Sequence, residues 1–291
     1  MVGLQSVATS LPASAESIEA LSARNFQRLC DLVYRICGIK LTIKKKSMVD
    51  GRLRRRMRNL GITNINDYCA FLFGGEVAAE LELVHFVDAV TTNKTDFFRE
   101  PAHFAFLQTV VLQRWCGEGR RNAKIWSAAA STGAEAYTAA MVIDDFFRDR
   151  GGFEYAILAT DICTEVLEKG KAALYTSSML EPIPEEFRRR YVLVPCDPSR
   201  HEFRIAANLR SKVSFQHLNL MDDRYAFDRD FDIIFLRNVL IYFDRPTQEA
   251  VLTKLCDHLR PGGYLFLGHS ESLVGGKFPL DMVANTIFCR R

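Results

Sequence analysis

The stretch that decides the fold is KIWSAAASTGAEAYTAAM, which runs from Lys124 to Met141. Residues 124–129 are apolar and short enough for a buried strand, residues 131–133 form a turn of small residues, and the pattern becomes helical from Ala134 onward. A strand, a glycine turn and a helix form the first half of a βαβ unit, in which ligands lie at the carboxyl end of the strand. The turn lacks the G-x-G-x-x-G fingerprint and the lysine of a phosphate-binding loop. The segment alone therefore leaves a ligand site and an ordinary strand-to-helix connection equally open.

The composition is that of an ordinary globular protein. Of the 291 residues, 48% are hydrophobic and 25% are charged, and the length suits one large domain with a smaller one. A formal charge of +3 is too small to indicate nucleic-acid binding. The eight cysteines include no C-x-x-C pair, which argues against a zinc site, and no apolar run reaches membrane-spanning length. In the absence of a signal peptide, we expect a cytoplasmic protein with reduced thiols, no metal ion and no membrane insertion.

The N-terminal part is predicted to be a disordered tail over residues 1–20, followed by a small helical domain over residues 21–90. Apolar residues recur at helical spacing between Ser22, which can cap the first helix, and Gly38, which ends it. Further helices are predicted over residues 44–60, 66–73 and 76–90.

The second predicted helix carries a dense basic cluster. Five arginines between positions 52 and 58 follow three lysines at positions 44–46, and almost no acidic residue offsets them. Such a run is either a solvated helix face or a docking surface for an acidic partner. We favour the docking surface, whose contact residues would be Arg52, Arg55, Arg56 and Arg58.

A polar and aromatic segment, TTNKTDFFREPAHF over residues 91–104, links the helical domain to the rest of the chain. In its structural interpretation, Thr95 or Asp96 caps a helix that begins at Phe97, and the phenylalanines belong to the core. In its functional interpretation, a linker over residues 91–105 closes over a ligand that the larger domain holds.

After Phe104 the predicted elements alternate between strand and helix. Strands are predicted over residues 124–129, 155–160, 213–218, 231–236 and 263–268, with a final pair near residues 282–291. This order predicts an α/β fold with a mostly parallel, doubly wound sheet. An interruption at about residues 170–212 is interpreted as a small insertion subdomain, a helix followed by an antiparallel excursion.

Polar residues end two of the predicted strands. Asp161 ends the second strand, where a carboxylate either accepts hydrogen bonds from a ribose diol or caps the following helix. Arg237 and Asn238 follow the buried strand 231–236, and Tyr242 comes shortly afterwards. The carboxyl ends of parallel strands share one edge of a sheet, so we expect these residues to face one crevice.

Six separated motifs occur in a single order along the chain: TTNKTDFFRE, WSAAASTGAEAY, ATDICTEVLEKG, NLM, RNVLIYF and GHSESL. With these motifs the chain closely resembles the CheR family of chemotaxis-receptor glutamate methyltransferases. The resemblance covers nearly everything after about Asn25. It implies a class I methyltransferase domain (Rossmann-like, residues 106–291) with a helical N-terminal domain and a small β-subdomain. It also implies S-adenosylmethionine as methyl donor, S-adenosylhomocysteine as product, and glutamate side chains on chemoreceptor cytoplasmic helices as acceptors. We expect a monomer that needs no metal.

The resemblance also implies roles for individual residues. Ten residues would contact the cofactor. They are Asn93, Thr95 and Arg99 in the linker, the carboxylates of Glu135 and Asp161, Asn219 and Leu220 beside the adenine, and Leu236, Arg237 and Asn238 at the sulfonium end. Tyr242 and Arg99 would border the acceptor and act in catalysis. The basic residues of the second helix would dock on the acidic methylation helices of a receptor.

Two positions depart from the family pattern. Relatives usually have a double glutamate followed by proline where this chain has Ala134-Glu135-Ala136, and they commonly have an arginine near Val194. These departures motivate an alternative function: a signalling module that binds S-adenosylmethionine or S-adenosylhomocysteine with weak or no methyl transfer. A nicotinamide oxidoreductase is a third hypothesis, disfavoured because the glycine fingerprint is missing.

Overall fold

The computed structural model describes residues 20–75, 77–197, 199–271 and 277–291. The predicted disorder of residues 1–19 therefore lies outside the described residues. None of the helices in these ranges is long and apolar enough to cross a membrane. The eight cysteines, all of which fall within the described ranges, form no disulfide.

Four helices form the N-terminal unit: α1 (Ala23–Cys37), α2 (Lys46–Leu60), α3 (Ile65–Leu72) and α4 (Val77–Val90). The Ser22 hydroxyl accepts a hydrogen bond from the Asn25 amide at 3.1 Å, as expected of an N-cap. Gly38 ends α1 with φ of 69°, a left-handed conformation that favours glycine. The predicted helices are confirmed, although α2 begins at Lys46, after a short 3₁₀ turn over Ile43–Lys45.

The linker has no regular secondary structure before α5 (Pro101–Phe106). The predicted helix start at Phe97, capped by Thr95 or Asp96, is wrong. Pro101 occupies the first helical turn, where its missing N–H leaves no hydrogen bond unmade. A π-helical turn over Leu107–Val111 joins α5 to α6 (Leu112–Gly117).

Among the residues that the structure describes, seven strands form the main sheet: β1 (Asn122–Ala128), β2 (Glu154–Asp161), β6 (Val213–His217), β7 (Phe231–Leu236), β8 (Leu259–Leu267), β9 (Leu280–Ala284) and β10 (Ile287–Arg290). Their order is β6-β2-β1-β7-β8-β10-β9. All pairings are parallel except those of β10 with β8 and β9. The mostly parallel sheet and the final pair of strands are confirmed, and the structure shows that this pair is antiparallel. The order reverses between β1 and β7, and such a switch point opens a crevice at the carboxyl ends of the strands.

Helices cover both faces of this sheet: α7 (Ala134–Phe147), α8 (Thr164–Ala172), α10 (Ala207–Arg210) and α11 (Arg245–His258). Every residue of β7 is buried, as expected for a strand covered on both faces. Successive residues of β1 point to opposite faces, so Ile125 and Trp126 enter two different apolar layers.

The insertion carries a second sheet of three antiparallel strands, ordered β3 (Leu174–Thr176), β5 (Glu202–Ile205) and β4 (Val192–Leu193). Helix α9 (Glu185–Tyr191) lies between β3 and β4 along the chain. The predicted antiparallel excursion is thus present, but its first strand precedes the helix.

Polar contacts fasten the helical unit to the sheet. The Asp88 carboxylate at the end of α4 accepts hydrogen bonds from the Thr164 amide (2.8 Å) and hydroxyl (2.6 Å) at the start of α8. The Asn219 side-chain amide donates to the Ile36 carbonyl of α1 at 2.6 Å. These contacts place the end of α1 and the loop before α2 over the carboxyl edge of the sheet.

Candidate functional site

A crevice opens where the helical unit, the linker and the sheet meet. It contains a cavity of about 240 Å³ lined by the strand ends of β1, β2 and β7, by linker residues 91–96 and 99, and by residues just before α2. A smaller, mostly apolar cavity of about 60 Å³ adjoins it and shares Asp161 and Tyr242 among its lining residues. The crevice thus offers a chamber with a mixed polar and apolar lining beside one that is almost entirely apolar.

Asp161 lies between the two cavities. One carboxylate oxygen accepts a hydrogen bond from the Ser131 amide at 2.8 Å, and the other accepts one from the Cys163 amide at 2.9 Å. Asp161 is not the N-cap of α8, since that position belongs to Cys163 and the start of α8 is held by Asp88. Burial raises the pKa of Asp161, and the backbone hydrogen bonds oppose that rise only in part. Each oxygen retains capacity for another hydrogen bond.

Arg237 is buried between two carboxylates. Its guanidinium forms ion pairs of 3.0 Å with both Glu100 and Glu135, and its side chain is only 2% exposed. Glu135 also accepts a hydrogen bond from the Ser127 hydroxyl at 2.7 Å. Glu100 accepts one from the Asn238 side chain at 3.1 Å. Because two carboxylates share one guanidinium, the group carries an excess of negative charge beside the cavity.

The backbone around the crevice adopts uncommon conformations. Ala129, Ser131 and Asn238 line the larger cavity with positive φ, and Phe98 and Glu100 flank Arg99 with positive φ. For residues other than glycine, such conformations cost about 1–3 kcal/mol each and persist where the surrounding structure imposes them. The lining of the crevice is therefore held in place by its neighbours rather than by local preference.

The linker contributes one wall of the larger cavity. Asn93, Thr95 and Arg99 all line it. The Ser131 hydroxyl donates to the Asn93 carbonyl at 2.7 Å, which ties the linker to the turn after β1. The Arg99 guanidinium donates to the Lys94 carbonyl at 3.0 Å and is half-buried at the cavity.

The opposite wall carries Tyr242, which lines both cavities. The ammonium group of Lys45 lies 4.7 Å from the centre of the Tyr242 ring, and Lys45 itself lines the larger cavity. A cation over an aromatic ring is an attractive contact, and it carries positive charge from the helical unit to the mouth of the crevice.

Asn219 and Leu220 line the smaller cavity. The Asn219 side chain also accepts a hydrogen bond from the Met221 amide at 3.0 Å, in addition to its bond with Ile36. Its side-chain oxygen and nitrogen are thus already engaged within the protein.

Of the predicted cofactor-binding residues, Leu236 is the exception, because it lines neither cavity. Its side chain is fully buried in one of the two apolar layers, although Leu236 is the last residue of β7, because this strand is covered on both faces to its end. The remaining nine line one or both cavities: Asn93, Thr95, Arg99, Glu135, Asp161, Asn219, Leu220, Arg237 and Asn238.

The basic cluster of α2 divides into two kinds of residue. Arg56 forms a 2.7 Å ion pair with Glu82, which is only 3% exposed, and Arg52 donates to the Thr91 carbonyl at 2.6 Å. These two arginines hold α2 against α4 and are unsuited to docking. Arg55 and Arg58 are exposed. Of the four arginines predicted to dock on a partner, only Arg55 and Arg58 are therefore exposed for such a contact.

Several residues at the crevice were not predicted as site residues. Glu100 ends the TTNKTDFFRE motif, and Glu271 lies in the GHSESL motif. Both belong to motifs found in the sequence, but the residues that they contact, Arg237 and Asn238, are far away along the chain. His103 lies near Glu100, with 3.4 Å between the ring nitrogen Nδ1 and the carboxylate, and burial lowers its pKa to about 4.

The two departures from the family pattern lie in different places. Ala134 is fully buried as the first residue of α7, next to the retained carboxylate of Glu135. Val194 is exposed on the small subdomain and lines neither of the two crevice cavities.

Comparison with known proteins gives a consistent result. Residues 93–289 match the family model described as the CheR methyltransferase SAM-binding domain. Residues 24–91 match the model described as the CheR methyltransferase all-alpha domain.

Curated relatives match over most of the chain. A chemotaxis protein methyltransferase of Klebsiella aerogenes is 41% identical over 87% of this chain and 84% of its own length. The protein of the same name from Escherichia coli is 39% identical over 87% and 86%. Among solved structures, an arsenic(III) S-adenosylmethionine methyltransferase from Chlamydomonas reinhardtii has a TM-score of 0.31 at 17% identity, over 50% of this chain and 38% of that one. This structural similarity is too low to support a conclusion about function.

Proposed function

The chain belongs to the CheR family of chemotaxis methyltransferases, which use S-adenosylmethionine, and we propose that it methylates glutamate side chains on the cytoplasmic helices of chemoreceptors. The products would be glutamate methyl esters and S-adenosylhomocysteine. We further propose that the protein works in the cytoplasm, where these helices lie.

The observation that carries this proposal is the set of carboxylates at the strand ends, in a lining that also contains the cations of Lys45, Lys94, Arg99 and Arg237. Glu100 and Glu135 share Arg237, and the Asp161 carboxylate has no cation among its hydrogen-bond donors in the described residues. The cationic amino group and the ribose hydroxyls of S-adenosylmethionine suit these carboxylates, and its own carboxylate suits the cations of the same lining.

The two chambers suit the parts of such a ligand. We assign the ribose to Asp161, whose oxygens can each accept a further hydrogen bond from a hydroxyl. The adenine is assigned to the smaller cavity, where Ile162, Leu220 and Phe243 supply apolar surface. The amino-acid end is assigned to the larger cavity, near Glu135.

The acceptor is assigned to the mouth of the crevice between Arg99 and Tyr242. A guanidinium there neutralises and orients an incoming carboxylate, and a phenol hydroxyl donates one hydrogen bond to it. Lys45 adds a second positive charge on the side of the helical unit.

The reaction requires the protein mainly to position the methyl donor and the acceptor carboxylate. When bound, S-adenosylmethionine supplies an electrophilic methyl group and a thioether leaving group. A glutamate side chain is already ionised at neutral pH, since its reference pKa is about 4.3, so no general base is needed. A carboxylate oxygen forms the new C–O bond as the S–C bond breaks, and the opposite charges of the reactants disappear. The protein therefore contributes by holding both groups in line and excluding water.

The proposal is tested with S-adenosylmethionine labelled in its methyl group and a chemoreceptor cytoplasmic fragment. We expect label to enter the fragment, and a fragment whose methylated glutamates are changed to alanine should take up none. Arg99→Ala should remove most of this activity with little change in melting temperature, because within the described part of the chain the Arg99 guanidinium donates only to the Lys94 carbonyl. Binding of S-adenosylhomocysteine without any label transfer would instead support the binding module. That alternative is not favoured, because the relatives are named methyltransferases.

A further inference from the structure

Glu271 is a buried carboxylate that the proposed chemistry does not use. It is 4% exposed and lines neither cavity. One of its oxygens accepts hydrogen bonds from the amides of Gly268 (2.6 Å) and Asn238 (2.9 Å). The other accepts hydrogen bonds from the amides of Val239 (2.7 Å) and Leu240 (2.8 Å). A single side chain thus joins the end of β8 to the segment that follows β7.

The segment that Glu271 holds is a wall of the crevice. Asn238, Val239, Ile241 and Tyr242 line the larger cavity, and Val239 and Tyr242 also line the smaller one. Asn238 has φ of 60°, a left-handed conformation that asparagine adopts more readily than most residues other than glycine. Three consecutive amides of this wall point at one carboxylate. Buried amides that lose their acceptors are strongly unfavourable, so the wall can keep this shape only while the carboxylate is present.

The two loops are also in tight contact. A Cβ atom at Gly268 would lie 2.8 Å from the Asn238 amide nitrogen and 2.9 Å from the Glu271 carboxylate. Neither loop can therefore shift towards the other to replace a lost hydrogen bond.

Ionisation of Glu271 does not itself stabilise the fold. Burial raises its pKa, and the four amide hydrogen bonds lower it only in part. Among the described residues, no lysine, arginine or histidine forms an ion pair with it. A buried charge that is held without a cation is more readily understood as a feature of the site than as a source of folding stability.

We propose that Glu271 is a positioning residue for the cofactor site, which fixes the wall formed by residues 238–242 without touching the ligand itself. The inference rests on the proposed function, since the ligand placed against this wall is the S-adenosyl group. It assigns to Glu271 a role in ligand affinity that acts through Asn238 and Tyr242.

The test compares Glu271→Gln with Asp232→Asn by titration with S-adenosylhomocysteine. The glutamine offers one acceptor oxygen and turns an NH₂ group towards amide donors, so the wall loses its shape. Asp232→Asn is the control for the loss of a buried carboxylate away from the crevice, although among the described residues Asp232, unlike Glu271, pairs with Arg120 and Arg260. Asp232 is 3% exposed, accepts a hydrogen bond from the Lys124 amide at 2.7 Å, and lies near the other end of β7. We expect Glu271→Gln to raise the dissociation constant about tenfold or more, the effect of one lost charge-assisted hydrogen bond. Asp232→Asn should leave it unchanged in the folded protein.

The outcomes are distinct. A folded Glu271→Gln variant that binds as tightly as wild type overturns the inference alone. Equal weakening in both variants shows general destabilisation and also overturns it. If Glu271→Gln does not fold, Glu271→Asp decides, because aspartate keeps the charge but is too short to reach both loops. Wild-type affinity in that variant, or failure of both variants to fold, would make the role purely structural. Wild-type protein that binds no S-adenosylhomocysteine would instead overturn the proposed function, and this inference with it.

Discussion

At the scale of single residues, Asp161 is the most exacting position in the crevice. Its carboxylate must satisfy two backbone amides and, in the proposed function, two ribose hydroxyls. Alanine at this position would leave both amides without an acceptor, so a loss of binding could reflect a collapsed turn. Asparagine keeps one acceptor and the same size, and it is the more informative change.

We predict that Asp161→Asn raises the dissociation constant for S-adenosylhomocysteine about tenfold or more. The reason is the loss of charge-assisted hydrogen bonds, each of which contributes about 1.5–3 kcal/mol. Isothermal calorimetry measures this change. Asp244→Asn is the control, because Asp244 caps α11 through the Thr247 amide and lines neither cavity. Equal affinities of Asp161→Asn and wild type would remove Asp161 from the site.

His103 makes stability depend on pH. Burial, together with the positive charge of Arg237, lowers its pKa from 6.5 to about 4, although Glu100 acts in the opposite sense. Between these two values the unfolded chain binds more protons than the folded protein does. Stability is therefore present above pH 6.5 and is lost as the pH falls towards 4, by up to about 3 kcal/mol.

We predict that His103→Gln flattens this dependence, because glutamine does not titrate. Urea unfolding at pH 7 and at pH 4.5 measures the difference in free energy for wild type and variant. His85→Gln, on the exposed side of α4, is the control and should behave like wild type. A variant that loses as much stability as wild type over this range would show that other groups dominate.

The residues that could be anticipated from the sequence are those whose position follows from the end of a strand. Asp161, Arg237 and Asn238 line the crevice because parallel strands end at one edge of the sheet. Their partners could not be anticipated. The ion pairs of Arg237 join positions more than a hundred residues apart, and Glu271 reaches Asn238 across a strand and a helix. Such pairings depend on tertiary structure, which hydrophobic periodicity does not encode.

At the scale of elements, α2 combines a structural face and a free face. Arg52 and Arg56 point towards α4, whereas Arg55 and Arg58 point to solvent. We propose that the exposed pair approaches the acidic methylation helices of a receptor. Contacts of this kind raise the association rate and are screened by salt, since the Debye length falls from about 10 Å at 0.1 M to about 3 Å at 1 M.

We predict that reversing Arg55 and Arg58 together to glutamate weakens binding of a receptor fragment at low salt and removes most of its salt dependence. Affinity for S-adenosylhomocysteine should stay unchanged, because neither residue lines the crevice. Arg56→Gln is the contrasting variant: it leaves the buried Glu82 without its cation and should lower stability by roughly 3 kcal/mol. Full receptor affinity in the doubly reversed variant at low salt would show that these two arginines are only a solvated face.

The elements themselves were largely predictable, because periodicity, glycines and prolines mark them locally. The start of α5 was not, since the linker runs irregularly to Glu100 and enters the helix only at Pro101. Nor does a charge run in the sequence disclose which arginines are paired. Glu82 lies on another helix, and only the packing of α2 against α4 brings it to Arg56.

At the scale of the whole molecule, the crevice belongs to no single part of the chain. The strand ends of β2 and β7 supply Asp161 and Arg237, α7 supplies Glu135, the linker supplies Arg99, and the helical unit supplies Lys45. Asp88 fastens α4 to the start of α8, close to Asp161 in the chain, so the helical unit and the ligand site form one framework. This arrangement suits an enzyme that must bring a partner's side chain to a bound cofactor.

The most direct measurement concerns the bond that the enzyme makes. A receptor fragment is incubated with the protein and with S-adenosylmethionine labelled in its methyl group, then isolated and treated with mild alkali. A glutamate methyl ester hydrolyses under these conditions, so we expect the label to leave as volatile methanol. Mass spectrometry of untreated peptides should place the methyl groups on glutamates of the cytoplasmic helices. Label that stays on the fragment after alkali, or that maps to lysine or arginine, would contradict the proposed methylation of glutamate.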